Sequence, residues 1–196
     1  MKLLFVRHGE TDWNLELRYQ GHKDTDLTPK GIQQAERAAE ITAEYNPQAL
    51  YASDLKRTMH TASIIGKVLN MAAKPEPGLR EIDFGEWEGL TYPEVKEKYP
   101  AEVEIWREAP LQACVPGGED LRQVLDRVLS AVEKACSSSK GNIVFVTHGG
   151  PIRLLLCHIG VEGAMGVYPV RPGSVTVVNY SDGKMDFVKQ YYSDTT

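Results

Sequence analysis

The chain has 196 residues, 42% hydrophobic and 25% charged, ordinary values for one globular domain with a sizeable core. A formal net charge of −5 argues against a general nucleic-acid surface, and any anionic ligand would need a local cationic pocket. No segment reaches the ~18–20 apolar residues of a membrane span, so no membrane association is expected.

Leu3-Leu4-Phe5-Val6 is a short apolar run that reads as a buried strand, and it ends in Arg7-His8-Gly9-Glu10. Met1–Val6 is too short for a secretory signal. Thr28 and Pro29 mark a helix start, with threonine as cap and proline at the first helical position. That helix is expected to run to about Tyr45 and stop before Pro47. Leu50-Tyr51-Ala52 reads as a second strand, and Ser53 as the cap of a helix from about Asp54 to Leu69. Residues 70–118 are turn-rich, with short helices expected around Tyr92–Tyr99 and Ala101–Glu108. An amphipathic helix then aligns Leu121, Val124, Leu125, Val128 and Val132 on one face. Glu119 and Asp120 are expected in its first turn, and Ser137-Ser138-Ser139 at its end. Ile143–Val146 is another buried strand, ending in Thr147-His148-Gly149-Gly150 and followed by a helix from Pro151 to about Ile159. Val175–Tyr180 and Met185–Tyr191 flank the turn Ser181-Asp182-Gly183 as a hairpin. Strands alternating with helices imply an α/β fold, a three-layer α/β/α sandwich on a mostly parallel sheet. With no repeat or linker, residues 1–196 are expected to form a single domain.

Chemistry gathers at the strand ends. Ligands of open α/β sheets sit outside the carboxyl ends of the strands, so the turns holding His8 and His148 are expected to share one site. Arg7 can grip a phosphate or carboxylate with parallel hydrogen bonds. Arg57 falls in the first turns of a helix, where free N–H groups and the dipole favour an anion. Gly149 opens another such helix start. Between Leu79 and Gly89 lie Glu81, Asp83, Glu86 and Glu88 beside Phe84 and Trp87. A carboxylic acid near apolar rings has its pKa raised toward ~6–7, which suits a proton donor; spacing leaves open which of the four it is.

The run Phe5-Val6-Arg7-His8-Gly9-Glu10-Thr11-Asp12-Trp13-Asn14 resembles the signature of the histidine phosphatase superfamily, also called phosphoglycerate-mutase-like. The resemblance extends in order through Ser53-Asp54-Leu55-Lys56-Arg57-Thr58, Leu79-Arg80-Glu81 and Thr147-His148-Gly149. It implies a phosphoglycerate-mutase-like fold and a phosphate monoester hydrolase acting through phosphohistidine. By the same resemblance His8 is the nucleophile, and Arg7, Arg57 and His148 bind the phosphoryl oxygens with help from Asn14 and the Gly149 N–H. It also makes Glu81 the proton donor. No metal-ligand spacing is present, and no cofactor is expected. Cys114, Cys136 and Cys157, an odd number, suit reduced thiols in a cytoplasmic protein, either monomer or homodimer.

Rival readings are weaker. Asp24-Thr25-Asp26-Leu27-Thr28 matches the Asp-x-Asp-x-Thr pattern of aspartate phosphatases but lacks a preceding apolar strand. No cysteine has an arginine six residues on, and no Gly-x4-Gly-Lys loop occurs. A cofactor-dependent phosphoglycerate mutase is the alternative within the family. The 67 positions from Glu81 to His148 are short for the insertion mutases carry. Segment 82–118, expected to form a lid, holds eight acidic and three basic residues, which suits a bisphosphate poorly. A catalytically inactive phosphate-binding module is a second alternative, against which His8 and Glu81 are both present. The expected partner is a small phosphorylated metabolite such as α-ribazole 5'-phosphate. Trp87, Tyr92 and Trp106 either stack on its flat ring or simply pack the lid.

Overall fold

The computed structural model describes residues 1–110, 113–166 and 168–193. In chain order the elements are β1 (Lys2–Arg7), α1 (Asp12–Leu15), α2 (Pro29–Ala43), β2 (Ala49–Ala52), α3 (Lys56–Leu69) and β3 (Lys74–Pro75). They continue with α4 (Tyr92–Lys98), α5 (Pro100–Glu108), α6 (Leu121–Ser138), β4 (Ile143–Thr147), α7 (Gly149–His158), β5 (Val175–Ser181) and β6 (Lys184–Tyr191). The sheet order is β3-β2-β4-β1-β5-β6. The four strands on one side are parallel, while β5 runs antiparallel to β1 and β6 antiparallel to β5. At the β5–β6 turn Asp182 and Gly183 both have positive φ, as a tight hairpin of matching twist requires.

Strand alternation builds the layers. Successive side chains of β1 point to opposite faces. Leu3 and Phe5 join Val132 and Ala135 of α6 and Ile152 and Leu155 of α7. Leu4 and Val6 join Ala38 and Ala39 of α2 and Ala62 and Ile65 of α3. Both faces are covered, which is why these strands read as continuous apolar runs. The α/β/α sandwich on a mostly parallel sheet is therefore the fold.

Several local expectations change. Helix α3 begins at Lys56 behind Leu55, which offers no side-chain cap; Ser53 is not the cap but a fully buried residue with another partner. Asp120 lies outside α6 as its cap, accepting from the Arg122 N–H, and Glu119 precedes the helix. Helix α7 starts two residues earlier than Pro151, so His148 itself occupies the cap position. Strand β3 was not legible in the turn-rich stretch.

Segment 82–118, of which residues 111 and 112 lie outside the described residues, is a packed cap. Ile82, Phe84, Trp87, Val95, Val103 and Val115 bury themselves against Leu121, Val124 and Val128 of α6. Among the described residues no helix is long and apolar enough to cross a membrane.

Candidate active site

The register of β1 on β4 brings the histidines together. Arg7 pairs with Thr147, and the His8 N–H donates to the Thr147 carbonyl at 3.0 Å. The two chains then turn away side by side, leaving the imidazole centroids 5.2 Å apart with planes 62° from parallel. Gly9 permits the first turn to lie on α2, because a Cβ there would sit 2.1 Å from the Gly31 carbonyl oxygen. Both rings are almost wholly buried.

The contacts of His8 fix where its proton sits. Nδ1 lies 2.7 Å from the Gly9 carbonyl, which can only accept, so Nδ1 carries the hydrogen. Nε2 is then the bare nitrogen, and it accepts from Arg57 Nε at 3.3 Å. Burial, then the Arg57 and Arg7 charges, holds the His8 pKa well below the usual histidine value. The ring is therefore neutral near pH 7 and presents a lone pair.

Arg57 stands in the first turn of α3, one strand further along the sheet. It is fully buried, and its Nη1 and Nη2 donate to the carbonyls of Lys23 and Gly21, each at 2.8 Å. The segment Gly21–Lys23 is thus what aims this guanidinium. Arg7, at the end of β1, donates from Nη1 to the Val170 carbonyl at 2.7 Å. Its guanidinium passes Gly149, where a Cβ would lie 3.5 Å from Cζ. Burial lowers the pKa of each arginine to about 10, which leaves both cationic at neutral pH.

His148 Nε2 lies 2.9 Å from the Ser53 Oγ. The serine follows β2, and its N–H continues the ladder onto the Val146 carbonyl at 2.9 Å. Among the described residues the Ser53 hydroxyl has no other acceptor for its proton, while its oxygen faces the Leu55 N–H at 3.5 Å, so the proton is assigned to His148 Nε2 and the ring hydrogen to Nδ1. Burial, then the Arg57 charge, depresses the His148 pKa as well. His148 Nδ1 and Arg7 Nε are buried and have no hydrogen-bond partner among the described residues. Buried donors are normally satisfied, and an anion above the paired imidazoles would satisfy both.

Glu81 is the carboxylate that reaches this turn. Its Oε1 accepts from the Gly150 N–H at 3.1 Å and from the Ile82 N–H at 3.0 Å. Asp83 accepts from the Gly85 N–H, Glu86 from the Tyr99 hydroxyl and Glu88 from the His22 N–H, so the other three acids serve the cap and its neighbours. A Cβ on Gly150 would lie 2.3 Å from Glu81 Oε1 and 2.6 Å from Ile82 Cδ1, so a side chain there must push the carboxylate aside. The Glu81 backbone is anchored too. Arg127 of α6 donates to the carbonyls of Gly78, Arg80 and Glu81 while its other edge pairs with Glu119. On the helix pattern Arg127 is an ordinary surface charge; only the fold shows this use.

Among the described residues Asn14 makes no hydrogen bond to His8, His148, Arg7 or Arg57. Its Oδ1 accepts from the backbone N–H and hydroxyl of Thr11, closing the capping box of α1. A cavity of about 260 Å³ is lined by Arg7, Gly149, Gly150 and Arg153 together with Phe84 and Trp106. Trp87 is enclosed between Tyr19 and Trp106, which places its ring within the cap's core. Tyr92 borders a neighbouring cavity that shares Trp106.

Residues 3–192 match the family described as the histidine phosphatase superfamily (branch 1). Phosphoserine phosphatase 1 of Hydrogenobacter thermophilus is 37% identical over 164 residues, covering 83% of this chain and 78% of that protein. The 2,3-bisphosphoglycerate-dependent phosphoglycerate mutase of Cytophaga hutchinsonii is 35% identical, over 80% of this chain and 76% of that protein. Among solved structures, YhfR of Bacillus stearothermophilus superposes with a TM-score of 0.87 at 30% identity, covering 95% of this chain and 94% of that one. With a matching family over nearly its full length and two histidines paired at adjacent strand ends, this chain belongs to the histidine phosphatase superfamily as an enzyme of its first branch.

Proposed function

We propose that this phosphatase hydrolyses the phosphate monoester of a small metabolite in two steps through phospho-His8. The observation that carries the reading is the bare Nε2 of a neutral His8, held under Arg57 and beside His148. In the first step Nε2 attacks phosphorus, an N–P bond forms and the ester P–O bond breaks. Glu81 gives its proton to the leaving oxygen. In the second, the Glu81 carboxylate takes a proton from water, the water oxygen attacks phosphorus, and the N–P bond breaks to release inorganic phosphate. Arg57 Nε, which rests on Nε2 in the free enzyme, moves to a phosphoryl oxygen as the lone pair is used. Arg7 Nε, His148 Nδ1 and the Gly149 N–H supply further donors, and Asn14 is a further candidate that the family resemblance implies. One unit-charge contact at ~4 Å and an effective dielectric of ~20 has a Coulomb term of roughly 4 kcal/mol. Two fixed guanidiniums therefore supply much of the stabilisation a phosphoryl transfer needs.

Replacing His8 with alanine is expected to abolish p-nitrophenyl phosphate turnover, and an undiminished rate ends the proposal. A base-stable, acid-labile label after quenching supports the phosphohistidine. The mutase reading draws on the similarity to a named mutase. Conversion of 3-phosphoglycerate to its 2-isomer, primed by bisphosphoglycerate, would replace hydrolysis as the main activity. α-Ribazole 5'-phosphate belongs in the substrate screen, with Trp106 and Tyr92 as the aromatic surfaces for its ring.

A further inference from the structure

His22 has no part in the steps above, yet its ring reaches the proton donor. Nε2 lies 2.9 Å from the Glu81 carbonyl oxygen, across 59 positions of sequence. A carbonyl only accepts, so Nε2 carries the ring hydrogen and donates it. Nδ1 sits 3.8 Å from Asp83 Oδ2, beyond hydrogen-bond length, so the carbonyl is the ring's partner. Arg127 Nη2 donates to the same oxygen at 2.8 Å. Two side chains, one from the loop after α1 and one from α6, therefore grip a single carbonyl.

That carbonyl shares a peptide plane with the Ile82 N–H. A trans peptide is rigid, and its C=O and N–H point in opposite directions. The Ile82 N–H donates to Glu81 Oε1 at 3.0 Å, and the Gly150 N–H meets the same oxygen at 3.1 Å. Turning the plane would swing away one of the two donors that hold the carboxyl group. Gripping the carbonyl thus fixes the plane, and the plane fixes the carboxyl. With Oε1 accepting two N–H groups, the proton of the neutral acid sits on Oε2.

The loop that carries His22 is tied to the rest of the site by its main chain. The His22 N–H donates to Glu88 Oε1 at 2.6 Å, and the flanking carbonyls of Gly21 and Lys23 take Arg57. Asp24 Oδ1 accepts from the Lys56 N–H at 2.9 Å, capping α3 where Leu55 offers no side chain to do so. This segment aims the guanidinium with its backbone and reaches the proton donor with one ring.

We propose that His22 is a positioning residue for protonation of the leaving group: acting through the Glu81–Ile82 peptide, it keeps the Glu81 carboxyl turned toward the departing ester oxygen. The proposal rests on Glu81 being the proton donor. No bond to His22 forms or breaks in the reaction.

The test compares kcat/KM, which reports the steps up to ester cleavage, for glycerol 2-phosphate and p-nitrophenyl phosphate. His22→Leu removes the donor and is expected to lower the first about tenfold, the worth of one hydrogen bond, and the second no more than about threefold. His22→Gln, whose side-chain amide can reach the same carbonyl, is expected to bring the first back to within about threefold of native. The vanadate inhibition constant is expected to stay within about threefold of native in both, since main-chain carbonyls hold Arg57. In a Glu81→Gln background His22→Leu is expected to add no further loss, because the proton it places is gone. Equal losses on the two esters, or a vanadate constant that rises in step with them, reduce His22 to a support of its loop and overturn the proposal. A His22→Gln enzyme as slow as His22→Leu overturns it too. Should His22→Leu fail to fold, His22→Asn, whose amide stops short of the carbonyl, takes its place. A Glu81→Gln enzyme without a leaving-group-dependent loss removes Glu81 as the donor and this role of His22 with it. When that loss is present and His22→Leu lacks it, only the role of His22 falls.

Discussion

Burying two uncharged imidazoles makes the fold sensitive to acid in a way that can be worked out. In the unfolded chain each ring takes up a proton near pH 6.5. In the folded chain both have pKa values pushed well below that by burial and the adjacent arginines. Below pH 6.5 the unfolded state therefore binds more protons, and stability falls as the pH falls. A ring that stays neutral in the fold down to pH 5 loses about 2 kcal/mol between pH 8 and pH 5, which bounds the loss from the pair at about 4 kcal/mol. That is a large share of the ~5–15 kcal/mol typical of a domain. Asp54 and Glu119, whose pKa values are lowered in the fold by Arg80 and Arg127, add their own losses only nearer pH 4 and below. The assay is urea unfolding at pH 8 and pH 5 on the native chain and on His8→Gln/His148→Gln. The double variant is expected to lose less stability over that interval, by up to about 4 kcal/mol. Should it decline as steeply as the native protein, the two rings are not the buried neutral groups described.

Two substitutions probe the groups around the histidines. Gly150→Ala puts a Cβ against Glu81 Oε1 and Ile82 Cδ1, displacing the carboxylate. Turnover of alkyl phosphates is expected to drop by ~10²–10⁴, the usual worth of a general acid, with a smaller drop for p-nitrophenyl phosphate; equal drops would detach Glu81 from the leaving group. Ser53→Ala removes the hydroxyl that sets the His148 tautomer, and kcat/KM together with vanadate affinity should fall roughly tenfold. Ser53→Thr is expected to recover most of that, and ¹⁵N shifts of His148 report the tautomer directly; an unchanged tautomer in Ser53→Ala contradicts the assignment.

What was readable in the chain follows from how local each signal is. Leu3–Val6 and Ile143–Val146 announce buried strands, and the rule that ligands gather at strand ends was enough to bring His8 and His148 together. Thr28 and Pro29 start α2 through short-range bonds visible as a pattern. Ser53 was misread because a serine after a strand looks like a helix cap; its actual partner lies 95 positions away. Arg127 was invisible for the same reason, since its bonds to the loop before Glu81 cross 46–49 positions. The choice of Glu81 among four acids likewise depends on Gly150, which no spacing reveals. Strand β3, only two residues long and exposed, carries no periodic signal.

The cap keeps a hydrophobic centre of its own, separate from the two that clamp the sheet. Selection can therefore reshape the walls that choose a substrate while the floor beneath them is left alone. Exchanging residues 82–118 between relatives, with α6 retained as the common seat, should retarget such an enzyme while sparing its reactive imidazole.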